Sequence, residues 1–529
     1  MLKELVKTLV IDSIKAGQKD GFLPTIDIKS ISLLEPEIKE HGDYSTNLAF
    51  VLAGQLKKSP QEIAQILLTC LQKENQKQKL LQKIEINNGF LNLFLSENAC
   101  LKELEDILKL KSKYGSSKIG QKQKLQVEFI SANPTGPLTI GNARGGPFGD
   151  CLANVLKKVG YSVFKEYYIN DCGNQIISLG HSVLKDALAQ YKGSYIDVLS
   201  RTIKDKDPAI AGKKAAKIII DKYIKKTTDR LGIKYDKWFF ESQLQKTGKV
   251  KQIIEELEKK GLIYKKDGAS WFKSTQFKDE RDRVVIKKDG QTTYLAADVA
   301  YHKDKLQTRK FKQVINIWGA DHFGDVAGLQ AGVSAIGYPG QLKIILLQFV
   351  TLFKGKEILK MSKREGIYIT LDDLLDMVGK DAVRYFFLSR SVDTHLNFDV
   401  DLAQQKTEAN PVFYIQYAYA RICSVFRKAK IKSLKPDLSL LNDSSEISLI
   451  KTLSLFPHII EEVANNYQAQ KLPKYAFDLA TAFHKFYQDC RLISEDKKLT
   501  QARLSLAQAT KIVLKETLNL MGISAPEKM

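Results

Sequence analysis

Apolar side chains crowd the short run Leu125-Gln126-Val127-Glu128-Phe129-Ile130, and the residues after it, Asn133, Pro134, Gly136 and Pro137, do not fit a regular element. Such a run predicts a buried strand. An irregular loop follows because proline withholds a backbone donor and glycine accepts angles that other residues avoid. After Gly141-Asn142 the spacing changes. Phe148, Leu152, Val155, Leu156 and Val159 recur along one helical face, and a second strand is predicted over 161–168, after Gly160. Strand, tight loop, helix and strand make the first half of a nucleotide-binding α/β unit, where free backbone N–H groups at the helix start meet phosphate. The loop holds neither G-x-G-x-x-G nor a Walker lysine, which excludes the usual dinucleotide and P-loop readings. Pro147, inside the helical pattern, predicts an irregular first turn.

The same patterning divides the rest of the chain. Residues 1–110 read as a separate small α/β domain, with helices over 2–16 and 60–75 and strand-like runs near 26–34 and 83–95. Between these, 41–47 reads as a loop leading to a helix N-cap. The polar stretch 111–124, with Gly115 and Gly120, has little to bury and is expected to be a linker. From 121 to 375 strand and helix signals alternate as in a parallel sheet, interrupted by a polar helical stretch over 178–260 that is expected to be an insertion. Strand signals resume at 283–286, 313–318 and 343–350, and stop at Leu371. Helical periods over 371–388, 406–431, 446–466, 475–493 and 499–521 then predict an all-α bundle, a domain placed at 376–529. The expected fold class is multidomain α/β: a Rossmann-like core between an N-terminal α/β domain and a C-terminal helical bundle.

Composition narrows the function classes. A chain of 529 residues with 44% hydrophobic and 27% charged positions is too long for one core and has the balance of a soluble protein. It contains no uncharged apolar run long enough for a membrane helix, and its first residues, MLKELVKTLVIDSIKAG, form an amphipathic pattern without the apolar core of a signal peptide. Six scattered cysteines without a C-x-x-C pair read as reduced thiols, so a cytoplasmic location is expected. The net charge of +22 favours a polyanionic partner, nucleic acid before membrane, although lysines are spread over every region.

Lys360-Met361-Ser362-Lys363-Arg364 places three cations in five residues, between Gly355 and Gly366 and ahead of an N-cap-like Thr370. A cationic loop suits a pyrophosphate leaving group, because charge builds on its oxygens as the α-phosphate is attacked. Together with Thr139-Ile140-Gly141-Asn142, a degenerate form of the HIGH tetrapeptide, this KMSKR run resembles the class I aminoacyl-tRNA synthetases. Further runs narrow the likeness: VEFISANPTGP from Val127, YYINDCGNQ from Tyr167, WGADH from Trp318, HGDY from His41, QYAYAR from Gln416 and the closing SAPEKM. These resemble arginyl-tRNA synthetases, in order and over nearly the whole length. The tetrapeptide departs from the family at its ends, with Thr139 and Asn142 in place of histidines; both can still donate a hydrogen bond, but Thr139 carries no charge.

The resemblance implies an arginine–tRNA ligase of bacterial type that activates L-arginine with ATP and Mg²⁺ and charges tRNA(Arg), with the tRNA bound before activation. Lys360, Lys363, Thr139 and Asn142 would be catalytic; Thr139, Gly141, Asn142, Gly319, Asp321, His322, Lys360, Met361 and Lys363 would hold ATP. A guanidinium, planar and permanently charged, needs acceptors at fixed angles. By resemblance Glu128, Tyr294 and Asp298 contact it, Asn133 holds the α-amino group, and Ser131, Gln175 and Asp171 line the same pocket. Tyr294 and Asp298 stand four residues apart and share a face if their segment is helical. No protein nucleophile and no protein-held metal is expected, and His322 is expected to touch nucleotide rather than move protons. Asp381-Ala382-Val383-Arg384 resembles the motif that names the family's anticodon-binding domain, with a helix cap and ion pair as its plainer reading. Tyr417 is the expected anticodon contact, ahead of Tyr414 and Tyr419, which are more ordinary as core residues. His41 and Tyr44 are further candidate tRNA contacts. A monomer that does not bind membranes is expected. A sister synthetase for another amino acid and an inert RNA-binding relative remain as alternatives.

Overall fold

The computed structural model describes residues 2–25, 31–36, 38–359, 369–429 and 436–529. In the N-terminal domain, helices Leu2–Lys19 and Pro60–Gln78 cover an antiparallel sheet ordered β1-β3-β2, formed by β1 (Tyr44–Thr46), β2 (Leu81–Asn87) and β3 (Phe90–Leu95). The apolar run over 83–95 is therefore a hairpin rather than one strand. Asn88 and Gly89, at φ 47° and 83°, make the tight turn that the Asn-Gly pair favours. The stretch 41–47 is not only a loop: Tyr44 begins a strand and is 1% exposed, which removes it from the candidate RNA contacts. Of the strand expected over 26–34, residues 26–30 lie outside the described residues, and Leu34 forms a lone bridge to Ser45.

The linker is pinned rather than loose. Tyr114 is buried against Phe456, and its hydroxyl donates to Glu103 Oε1 at 2.6 Å. A Cβ on Gly120 would meet the backbone of Tyr161 at 2.4 Å, so the chain passes too close for any side chain there.

The middle of the chain contributes β4 (Lys124–Glu128), β5 (Ser162–Ile169), β6 (Lys237–Phe240), β7 (Ile263–Lys266), β8 (Ala269–Phe272), β9 (Arg283–Ile286), β10 (Gln313–Gly319) and β11 (Leu342–Leu347). Five of these form the central parallel sheet, in the order β11-β10-β4-β5-β6. Its strands are largely apolar, as a covered parallel sheet requires, with Gln126, Glu128, Lys165, Glu166 and Asn316 as buried polar exceptions. The stretch over 178–260 is thus not a pure helical insertion: it carries the edge strand β6, whose KWFF was hidden in a lysine-rich neighbourhood. Conversely, β9 joins an antiparallel β7-β8-β9 sheet outside the central one. The expected irregular turn at Pro147 is present, with the helix broken at Arg144 between Ile140–Ala143 and Gly145–Lys158.

Strands do not stop at Leu371. β12 (Val350–Lys354), β13 (Glu357–Ile358) and β14 (Leu396–Asp399) form a small sheet, with β14 parallel to β12. The bundle comprises helices Leu371–Leu388, Pro411–Ala429, Ser444–Ser454, Phe456–Asn466, Lys471–Asp489 and Lys497–Met521. Leu455 divides the helix expected over 446–466, and Gly379, at φ 78°, breaks the first.

Arg384 joins bundle to core. Fully buried, it donates to Asp150 Oδ2 at 2.6 Å and to the carbonyls of Met521 and Leu231. Asp150 also pairs with Lys165, at 2.6 Å. Asp381 accepts from Gln416 and Ser524, so the Asp381–Arg384 motif is structural, as its plainer reading had it. Removing one partner of a buried pair leaves a charge without solvation. Arg384→Met is expected to destabilise the protein by about 3–5 kcal/mol, read as a lowered urea midpoint with helix content retained before the transition.

Candidate active site

The site begins where β4 ends. Ile130 and Ser131 follow at φ 68° and 41°, a left-handed pair that is rare for non-glycine residues and rarest for a β-branched one. Surrounding groups hold this conformation. Tyr235 donates its hydroxyl to Phe129 O at 3.1 Å, Tyr167 to Ala132 O at 3.0 Å and Tyr195 to Thr135 O at 2.9 Å. The Tyr168 N–H donates to Ser131 Oγ at 3.1 Å. The apolar strand thus delivers Glu128 to its carboxyl end and turns the loop sharply over it.

A cavity of about 670 Å³ opens there. It brings together Glu128, Ser131, Asn133, Thr139, Gly141, Asn142, Tyr294, Asp298, Gly319, Asp321 and His322, every described candidate for the amino-acid and nucleotide ends except Gln175 and Asp171. Gln175 lines an adjoining cavity of about 440 Å³ that shares Asn133, Tyr294, Asp298 and His322 with the first. Tyr417 lies in the bundle. Asp171 lines neither cavity: its carboxylate accepts from the backbone N–H and the hydroxyl of Ser242, at 2.8 and 2.7 Å, which corrects its assignment to the pocket.

Two elements supply the acids. Glu128 leaves β4, whereas Tyr294 and Asp298 project from one face of helix Tyr294–Lys303, as the four-residue spacing predicted. Tyr294 is 61% exposed at the rim. The Asp298 carboxyl makes no hydrogen bond among the described residues and is pushed up to about 8, by burial first and then by Glu128 and Glu241. Glu128 is held by Lys305, Nζ to Oε2 at 2.5 Å, in a pair closed to solvent. Burial lowers the Lys305 ammonium's pKa; Glu128 and Glu166 act in the opposite sense. His302 is buried with its ring between Asp298 O, at 2.7 Å, and the Asn316 amide, at 2.9 Å, and burial holds it neutral.

The other end of the cavity is shaped by glycine. A Cβ on Gly141 would meet, among the described residues, only Thr139 Oγ1, at 3.8 Å, so that side of its backbone faces open space. A Cβ on Gly319 would meet Asp321 Oδ1 at 2.3 Å; only glycine leaves that carboxylate where it is. Thr139 Oγ1 donates to Asn142 Oδ1 at 3.0 Å, which leaves the Asn142 amide N–H groups as its free donors. His322 lies 5.7 Å from the Trp318 ring and within 4 Å of Asp321 and Asp325 carboxylates.

Lys360, Met361, Ser362, Lys363 and Arg364 lie outside the described residues. Their flanks do not: Leu359 bonds back to Leu352, and Thr370 forms an antiparallel bridge with Thr139. In the bundle, Tyr417 is half-buried beneath the Arg421 guanidinium, 4.5 Å from its ring. Tyr419 is 0% exposed and belongs to the core; Tyr414 packs on His484 and Phe477.

Three residues were not legible beforehand. Glu241 lines the cavity after β6, and burial raises its carboxyl. Arg144, 3% exposed, donates to four carbonyls, those of Gln348, Arg390, Ser391 and Thr394. Lys305 is the third. The signal for Glu241 was available only once KWFF was read as a strand of the sheet; buried cations such as Arg144 and Lys305 leave no mark in the local order of residues.

Comparisons with known proteins agree in register. The family described as arginyl tRNA synthetase N terminal domain matches residues 4–95, that described as tRNA synthetases class I (R), catalytic domain, matches 103–193 and 195–388, and the DALR anticodon binding domain matches 415–529. The arginine–tRNA ligase of Caldanaerobacter subterraneus subsp. tengcongensis is 41% identical across 100% of this chain and 99% of its own. That of Bacillus subtilis is 40% identical across 100% of both. The structure of Thermus thermophilus arginyl-tRNA synthetase aligns over 100% of both chains with TM-score 0.78 at 21% identity, a likeness of fold.

The raised Asp298 carboxyl has a consequence for stability. The folded protein keeps its proton up to about pH 8, whereas the unfolded chain releases it near 3.8, so ionisation favours unfolding increasingly between those values. Asp298→Asn is expected to raise the melting temperature more at pH 8 than at pH 5, measured by calorimetry in matched buffers.

Proposed function

The chain belongs to the arginyl-tRNA synthetase family, and on that premise we propose that the cavity at the end of β4 is where L-arginine and ATP react and where tRNA(Arg) is charged. A carboxylate oxygen of arginine attacks the α-phosphorus, the bond to the bridging oxygen breaks, and pyrophosphate leaves. A hydroxyl of the terminal adenosine of tRNA(Arg) then attacks the adenylate's carbonyl carbon, and AMP leaves. Neither step asks the protein for a nucleophile, so catalysis is positioning together with stabilisation of developing charge.

The observation that carries this reading is the convergence of Glu128 and Asp298, from different elements, on one cavity that also holds the glycine-lined nucleotide end. Glu128, Tyr294 and Asp298 take the guanidinium, while Asn133, Ser131 and Gln175 take the α-amino end. Gly141 admits the triphosphate to the helix start, Asn142 donates to it, and Asp321 accepts from the ribose hydroxyls with His322 beside the base. The bridge between Thr139 and Thr370 supports a place for Lys360 and Lys363 beside the leaving pyrophosphate. Magnesium would come with the phosphates of ATP. When bound it would neutralise phosphate charge. Tyr417, with Arg421 on its ring, offers a surface for a splayed anticodon base. No helix among the described residues is long and apolar enough to cross a membrane. The six cysteines are unpaired.

ATP–pyrophosphate exchange with each amino acid in turn, tRNA present, tests the proposal: arginine alone should support it, and charging of bulk tRNA should follow. Exchange with another amino acid would overturn the assignment. Asp298→Asn should raise the KM for arginine about 100-fold, as loss of a charged acceptor does, with the KM for ATP unchanged. Since guanidinium binding requires ionised Asp298, arginine affinity should tighten as pH rises from 6 towards 8 and then level, a dependence the same variant abolishes. Gly319→Ala, by displacing the Asp321 carboxylate, should raise the KM for ATP about fivefold with the arginine KM unaltered.

A further inference from the structure

Behind the wall of the cavity lies a cation that the substrate cannot reach. Lys305 is 0% exposed and absent from the cavity lining, yet its ammonium touches three groups that form it. Nζ stands 2.5 Å from Glu128 Oε2, 3.3 Å from Asn316 Oδ1 and 4.0 Å from the centre of the Tyr301 ring. The lysine sits in a π-helical turn, Asp304–Thr308, that continues helix Tyr294–Lys303. Wide turns of this kind are uncommon and concentrate at functional sites. Asp298 and Lys305 are seven residues apart, about two turns, and so share a face. A single helical element therefore supplies one acid that faces the substrate and the cation that grips the other acid.

We propose that Lys305 is a positioning residue for arginine recognition: by occupying Oε2 of Glu128 from behind, it presents Oε1 alone to the guanidinium and balances the Glu128 charge before substrate arrives. This rests on the reading of the cavity as the arginine pocket. A carboxylate with both oxygens free forks a guanidinium by itself, at an angle set by its own rotation. With one oxygen tied, Glu128 offers one acceptor in one direction, and Asp298 supplies the next from across the cavity. The planar ligand is then read by two elements at once, an arrangement that the compact, rotating ammonium of lysine does not match.

The test uses the full-length enzyme with tRNA present. Lys305→Met should raise the KM for arginine about thirtyfold, leave kcat and the KM for ATP within about twofold, and lower the melting temperature, since it strands the Glu128 charge. Glu128→Gln/Lys305→Met removes both charges and should restore the melting temperature while keeping the KM for arginine of Glu128→Gln alone. A purely structural lysine would instead let the double variant fall below Glu128→Gln in KM as stability returns, which overturns the proposal. So does an unchanged arginine KM in Lys305→Met, or an ATP KM that rises in step. If Lys305→Met does not fold, the comparison of Glu128→Gln with the double variant decides alone. Asp298→Asn separates the two levels: if it leaves the arginine KM unmoved, the pocket assignment fails and this inference with it; if it raises that KM while Lys305→Met does not, only the role of Lys305 fails.

Discussion

The position of β4 between β10 and β5 governs where chemistry can occur. In a parallel sheet whose order reverses at one strand, the loops on either side of the reversal leave in opposite directions and open a crevice at the carboxyl ends. Here the crevice lies between the end of β4, which carries Glu128, and the end of β10, which carries Trp318 and Gly319. Most strand side chains are apolar and fill the core. Their contribution is to hold two sets of loop residues at a fixed separation, so that an amino-acid end and a nucleotide end face each other across one space.

That site stores strain and unbalanced charge, and the surroundings keep both in place. Left-handed Ile130 and Ser131 would relax if the tyrosine hydroxyls and the Tyr168 N–H did not bind the loop. Acids gathered in a poorly solvated cavity call for counter-charge. Lys305 supplies one for Glu128, and Asp298 is left to hold its proton until a cation arrives. The affinity of such a pocket for a guanidinium and its reluctance to stay ionised when empty are two faces of one electrostatic imbalance.

Buried guanidiniums connect this site to the rest of the molecule in two different ways. Arg144 follows the tetrapeptide and ties it, through four carbonyls and no carboxylate, to Gln348 ahead of β12 and to the loop before β14. Burial pulls its pKa down to about 10, with the nearby Asp393 acting in the opposite sense. Arg384 instead pairs with Asp150 in the helix after the tetrapeptide and also binds Met521 O at the end of the last helix. The core and the bundle are thus joined at helix Gly145–Lys158, directly after the segment that carries the tetrapeptide.

Much of this was determined by the sequence alone. Period and punctuation set out the strand-loop-helix-strand unit, the three regions and most bundle helices, because burial on one face leaves a regular trace in the order of residues. Motif likeness singled out Glu128, Asn133, Asp298, Gly319 and Asp321, and the fold brings them to one cavity. Only tertiary structure decided the remainder. β6 and β14 were missed because short strands are made by their neighbours: KWFF and LNFD become strands on pairing with β5 and β12. Tyr44 and Asp171 carry groups fit for binding, but one is packed into a sheet and the other holds Ser242, and no local pattern distinguishes those fates. Lys305, one lysine among many, acquires its meaning from lying 177 residues downstream of the carboxylate it touches, since the strength of a buried charge pair depends on what is excluded around it and not on what precedes it in the chain.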